Sequence, residues 1–261
     1  MKLRIGFRRV RFVCAAVLLC SVLPGPALAA FHFMEIEQVI GGVNGDTSAQ
    51  AVQLKMRLAG QNFLNGAAQV VVRDAAGANP VTLATFNANV TSGACREILL
   101  ATNAFAATTT PAAVRNFAMS AIPPAYLAAG SLTFESLGGG STWWRVSWGG
   151  VGYTGLGTVV IVPGGNDDSG NANPAFAGPL PSSSAQALHF TPACAAVSTD
   201  SASQYAVTAG PAVFRNNALA DFTVNVAAGV PSLPGAARLL LPALLGLGVV
   251  VFAVLRRRRT A

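Results

Sequence analysis

The stretch AVQLKMRL, residues 51–58, alternates without a break. Val52, Leu54, Met56 and Leu58 fall on one side of an extended backbone, and Gln53, Lys55 and Arg57 on the other. A period of two residues is the pattern of a strand with one face against a core and the other polar. Comparable segments occur at residues 32–39, 69–73, 81–86, 97–101, 132–135, 143–148, 158–162 and 221–226. Between them stand GGVNGD, DAAGANP, LGGGST and PGGNDDSGNANP, compositions that favour tight turns. Residues 111–119 read as a short helix. Many short strands joined by glycine-rich turns predict an all-β fold, a β-sandwich built once or twice over.

The charge is distributed in a way that excludes nucleic acid. The formal net charge is +7, yet five basic residues lie within the first eleven positions and five more, Arg238 and Arg256, Arg257, Arg258 and Arg259, flank the last apolar run. The middle of the chain holds seven basic residues against all ten acidic ones. Its positive charge therefore belongs to the two ends rather than to a binding face.

Both ends read as targeting segments. A basic stretch, an apolar run over residues 12–23, a helix-breaking LPGP and the small residues of ALAA predict a signal peptide over residues 1–30. Cys14 and Cys20 are then small apolar residues of a discarded helix. Near the other end, residues 239–255 carry no charge, and as a helix they would extend roughly 26 Å. That reaches the lower limit for one transmembrane helix. The arginines of residues 256–261 would form a basic cytoplasmic tail and leave residues 31–229 outside, anchored to the membrane through that helix.

A proline-containing motif, an apolar span rich in Leu and Gly, and a closing arginine cluster together resemble a PEP-CTERM-type sorting signal. The motif is Val230, Pro231, Ser232, Leu233 and Pro234 within residues 230–238, followed by LLPALLGLG. Ser232 stands where that signal has glutamate. The resemblance implies a transient partner, an exosortase-like membrane protease that cuts near the motif. It also implies release or transfer of the protein to the cell surface or extracellular matrix. A second resemblance lies in FHFMEIEQVI, GQNFLNGAAQVVVRDAAGANPVTL, SLTFES, WWRVSWGGVGYTG and ALHFTPAC. These segments look like lamin-tail (LTD) domains of bacterial secreted proteins, most closely over about residues 31–105. The usual acidic EL after the second strand is replaced by Lys55-Met56-Arg57-Leu58. That resemblance implies an immunoglobulin-like β-sandwich ectodomain.

Cys95 and Cys194 are the cysteines outside the signal peptide, and in an oxidising compartment they are expected to pair. An intermolecular bridge and a reactive thiol are the alternatives, though Arg96 alone offers a thiolate little support. No GxSxG, HExxH or SxxK frames His32 or His189, so both are expected to be structural and no catalytic residue is assigned. Glu35 and Glu37 are two apart on an expected strand, where edge solvation accounts for them; Glu135 and Asp221 have no evident partner. Asp167 and Asp168, in an Asx-rich loop, are a weak calcium candidate without EF-hand spacing, so no metal or other cofactor is expected.

Trp143, Trp144 and Trp148 form the densest aromatic cluster. Strand alternation puts Trp144 and Trp148 on one face with Val146, and Trp143 with Arg145 and Ser147 on the other. Trp143, Arg145 and Tyr153 are thus the candidate glycan-facing residues, and core packing is the favoured reading of the cluster. The function expected is that of a non-enzymatic envelope or matrix protein that is structural or binds extracellular polysaccharide. The alternative is a secreted hydrolase acting on polysaccharide or other matrix material with a dispersed site.

Overall fold

A computed structural model describes residues 32–155, 174–196 and 200–227. The signal peptide, the strand expected at 158–162, Asp167, Asp168, the sorting motif, the span 239–255 and Arg256 to Arg259 lie outside the described residues. Among the described residues no helix is long and apolar enough to cross a membrane. The strands are, in order, β1 (Met34–Ile40), β2 (Ala51–Met56), β3 (Ala68–Arg73), β4 (Val81–Thr85), β5 (Glu97–Ala101), β6 (Thr109–Thr110) and β7 (Phe117–Ala118). There follow β8 (Gly130–Ser136), β9 (Thr142–Trp148), β10 (Leu188–Phe190), β11 (Tyr205–Val207), β12 (Val213–Arg215) and β13 (Asp221–Val224). Among the described residues the helical content is one short helix, α1 (Ser201–Gln204), and a few 3-10 turns.

These strands form a six-stranded sheet, β11-β10-β1-β2-β5-β7, a four-stranded sheet, β4-β3-β8-β9, and a three-stranded sheet, β12-β13-β6. Pairing is antiparallel except between β5 and β7. The six-stranded sheet is covered on both faces. Val52, Leu54 and Met56 of β2 meet Val70, Val72, Leu132, Phe134 and Trp144 of the four-stranded sheet in the larger core. On the other face Ile40, Ala51, Leu99 and Ala101 pack against Phe214, Phe222 and Val224 of the three-stranded sheet. The result is a β-sandwich with a third layer over part of one face. Burial of both faces explains why β5, Glu97–Ala101, reads as a nearly continuous apolar run.

Two bulges reset the alternation. In the β1–β2 ladder Ile36 faces Leu54 and Gln38 faces Gln53, so Glu37 is the extra residue. The core face of β1 accordingly passes from Met34 and Ile36 to Val39. In the β8–β9 ladder Phe134 faces Trp144 and Glu135 faces Thr142, which makes Trp143 the extra residue. Asn44 and Gly45, with φ of 53° and 92°, turn the chain between β1 and β2, as the GGVNGD segment predicts.

Residues 111–119 are not the expected helix. Asn116 and Met119 donate their N–H groups to Leu99 and Ala101, and the Asn116 side chain accepts from Leu99 N. Pairing with β5 thereby overrides a weak local helical preference. Leu58 also departs from expectation: β2 ends at Met56, and Leu58 is exposed.

Candidate functional site

The outer face of the six-stranded sheet becomes polar where β1, β2, β5 and β10 come together. Lys55 and Gln53 stand on the face of β2 opposite Leu54, as period two requires, and the bulge brings Glu37 beside them. The Glu37 carboxylate accepts from Gln53 Nε2 and from Lys55 Nζ. Gln53 Oε1 in turn accepts from the backbone N–H of Arg215, and Gln38 Nε2 donates to Val213 O at 2.7 Å. Those bonds dock β12 over the sheet. Arg215 and Asp221 face each other across the β12–β13 pair, and the guanidinium donates from both Nε and NH2 to the two carboxylate oxygens. Between the sheet and this hairpin a cleft of about 540 Å³ remains, walled by Glu37, Lys55, Glu97, His189, Arg215 and Asp221.

Burial dominates the electrostatics. Glu97 is pushed up from the usual carboxylate range by desolvation and then by the charge of Glu37, which together exceed the opposing pull of Lys55 and Arg215. Its Oε1 lies 3.9 Å from Lys55 Nζ and 3.8 Å from Arg215 NH1, and its buried Oε2 has no hydrogen-bond partner. Lys55 loses hydration on burial, yet the bond to Glu37 and the fields of Glu37, Glu97 and Glu35 raise its proton affinity. Desolvation lowers His189 below its ordinary 6.5, so its ring is neutral at pH 7. Glu35, opposite Lys55 in the ladder, is 1% exposed and is pushed up to about 8, first by desolvation and then by Glu37.

This arrangement is equipped for hydrogen bonding more than for nucleophilic attack. Thr208, the hydroxyl beside His189 in the cleft wall, donates to Gly210 O and accepts from Ala187 N. Among the described residues no group of three His, Cys, Asp or Glu side chains is placed to hold a metal ion.

The candidate glycan-facing residues lie inside. Trp143, Arg145 and Tyr153 are 6%, 2% and 5% exposed, so core packing is the outcome for that cluster. The physical reason for Trp143 is its bulge, which turns the ring toward Phe134, 5.4 Å away, with the His32 ring at 6.5 Å. Trp144 Nε1 donates to Tyr205 Oη, which donates to Ile36 O, and Trp148 Nε1 donates to Tyr126 O. Edge solvation of Glu35 and Glu37 is also corrected, because β1 is an interior strand and both side chains are buried. Glu135 and Asp221 have partners after all: Glu135 pairs with Arg73 at 2.9 Å, and Asp221 with Arg215. Cys95 and Cys194 form a disulfide with Cα atoms 5.8 Å apart.

The cleft itself is not legible in the sequence, where Glu37 stands out only beside Glu35, His189 and Asp221 stand alone, and Lys55, Glu97 and Arg215 do not stand out as site residues. A signal was available in the polar half of AVQLKMRL, whose lysine needs a carboxylate if the opposite face is covered. No protein-family model matches this chain, and no curated protein or solved structure matches it either.

Proposed function

We propose that this chain is a non-enzymatic cell-envelope or extracellular-matrix protein. It is exported by its N-terminal signal, sorted through its PEP-CTERM-like C-terminus by an exosortase-like protease, and works as a structural or glycan-binding module. The sandwich is read as immunoglobulin-like, with a lamin-tail-like first part. One observation carries the binding half: the charged groups of the cleft are matched to one another on rigid strands, Glu37 to Lys55 and Asp221 to Arg215. Such groups offer fixed donors and acceptors without a nucleophile beside a base. The disulfide supports the export half, since such bonds persist in oxidising compartments.

A specific observation favours the competing reading of a secreted hydrolase. Glu97, with raised proton affinity in a cleft wall, has the character of a general acid. Glycoside hydrolysis needs a second carboxylate free to act, and Glu37 and Asp221 are both engaged by cations. Binding is therefore the better-supported role.

Cell fractionation with intact-mass analysis under non-reducing conditions tests the assignment. The expected species lies in the envelope or medium, begins near residue 31, and lacks both thiol hydrogens. Trimming between residues 230 and 238 would mark the sorting step. A full-length chain in the cytosol with its leader attached refutes the proposal.

A further inference from the structure

The cleft contains an unmet hydrogen-bonding need at one point. The Glu97 side chain is 8% exposed; its Oε2 is closed off and has no partner, and Oε1 is the oxygen turned toward Lys55 and Arg215. A carboxylate oxygen buried without a donor is costly unless something supplies one. The adjacent cations do not supply it, for at 3.8 and 3.9 Å they attract Glu97 Oε1 without hydrogen-bonding it. Lys55 carries three N–H groups and donates to Glu37; Arg215 directs Nε and NH2 to Asp221 while NH1 turns toward Glu97. The same wall thus holds a carboxylate whose Oε1 has only long contacts to its cations, and cations with donor capacity to spare.

We propose that this cleft is a subsite for a neutral polyhydroxyl ligand, a sugar ring, with Glu97 accepting from its hydroxyls and Lys55 and Arg215 donating to them. The inference rests on the glycan-binding reading above and gives it a place and a chemistry. A hydroxyl group both donates and accepts, so adjacent hydroxyls of one ring satisfy Glu97 and its flanking cations together. Charged ligands fit less well. An anion would meet Glu37, Glu97 and Asp221, and a cation would meet Lys55 and Arg215. His189, neutral and on β10 of the same sheet, adds a hydrogen-bonding group without altering that balance. The volume of about 540 Å³ suits a ligand of one or two rings.

The test uses the chain isolated from its host, kept in a detergent without a sugar headgroup. Saturation-transfer NMR and calorimetry are run with methyl hexopyranosides of gluco, galacto and manno configuration, with glucuronate, and with glycine betaine. Saturable millimolar binding of at least one neutral hexoside is expected. Glu97→Gln, which keeps the shape but loses the charged acceptor, should weaken it at least about tenfold. His189→Ala, at a less buried position, should weaken it by a smaller factor and guards against a folding failure in the first variant. Three results overturn the proposal: no hexoside binding, binding indifferent to both substitutions, or tighter binding of glucuronate or betaine than of any neutral hexoside. Fractionation is read separately, so a correctly exported protein that ignores sugars sinks this inference while leaving the envelope assignment standing.

Discussion

Glu35 shows what a single side chain does to this sheet. Its carboxyl is buried on an interior strand and faces Glu37 from its own strand, Lys55 from β2, Arg57 just beyond the end of β2, and Glu97 from β5, with the Tyr205 hydroxyl close by. Desolvation and the neighbouring carboxylates outweigh the two cations and raise it from 4.5 to about 8. A folded-state value above the unfolded one means that the native protein holds this proton more tightly. Its stabilising contribution is therefore complete below pH 4.5, declines as pH rises toward 8, and levels off beyond. The cost accumulated across that window is roughly 3–5 kcal/mol. Glu35→Gln, neutral at every pH, should match the native protein near pH 4 and exceed its stability by up to that amount near pH 9. Urea unfolding across the pH range measures this, and parallel curves for the two proteins would refute it. Sequence alone put Glu35 and Glu37 near each other but gave no hint of depth, because a carboxylate in an alternating strand looks the same at an edge and in a sheet interior.

Elements divide by how much of their structure is local. The long strands β1, β2, β3, β8 and β9 were legible because six or seven residues display period two or an apolar run. The strands β6, β7, β11 and β12, two or three residues each, were not, since partners elsewhere in the chain decide their pairing, whereas β10 lies in ALHFTPAC, which alternates like a strand. The bulges at Glu37 and Trp143 are of the same kind: one extra residue in one strand of a ladder has no signature in that strand alone. That is why the bulge that carries Trp143 into the core has no mark in the sequence of β9 itself. Tyr205 of β11 joins the layers by accepting from Trp144 of β9 and donating to Ile36 of β1. Tyr205→Phe keeps the ring and strands both partners, so it should cost about 2 kcal/mol. Trp144→Phe in that background should then cost less than it does in the native chain, because the shared bond is already gone. A double-mutant cycle by denaturant unfolding reads this coupling directly, and strict additivity would show that the hydroxyl bridges nothing.

At the scale of the whole molecule, the disulfide connects two regions far apart in sequence at the foot of the polar face. Cys95 and Cys194 are 99 residues apart. Cys95 N donates to Met56 O and Met56 N to Arg96 O, which sets the chain at the entry to β5 two residues before Glu97. Arg57 reaches the other side of the same link, donating to Ala195 O while its guanidinium lies over the Trp144 ring. In the chain-entropy account the bond acts chiefly on the unfolded chain, by closing a long loop. The loop-closure relation gives about 4–5 kcal/mol for a loop of this length. Replacing both cysteines by alanine should lower the unfolding free energy by about that amount and the midpoint temperature by roughly 10 °C, while the β-sheet circular dichroism is retained. Glu97 would then lose one of the restraints that position it, so hexoside binding should weaken in the same variant even at temperatures where it remains folded. An unchanged midpoint would mean that the unfolded chain is not restrained by this bond, and unchanged binding would mean that β5 is held in place by its hydrogen-bonded neighbours alone.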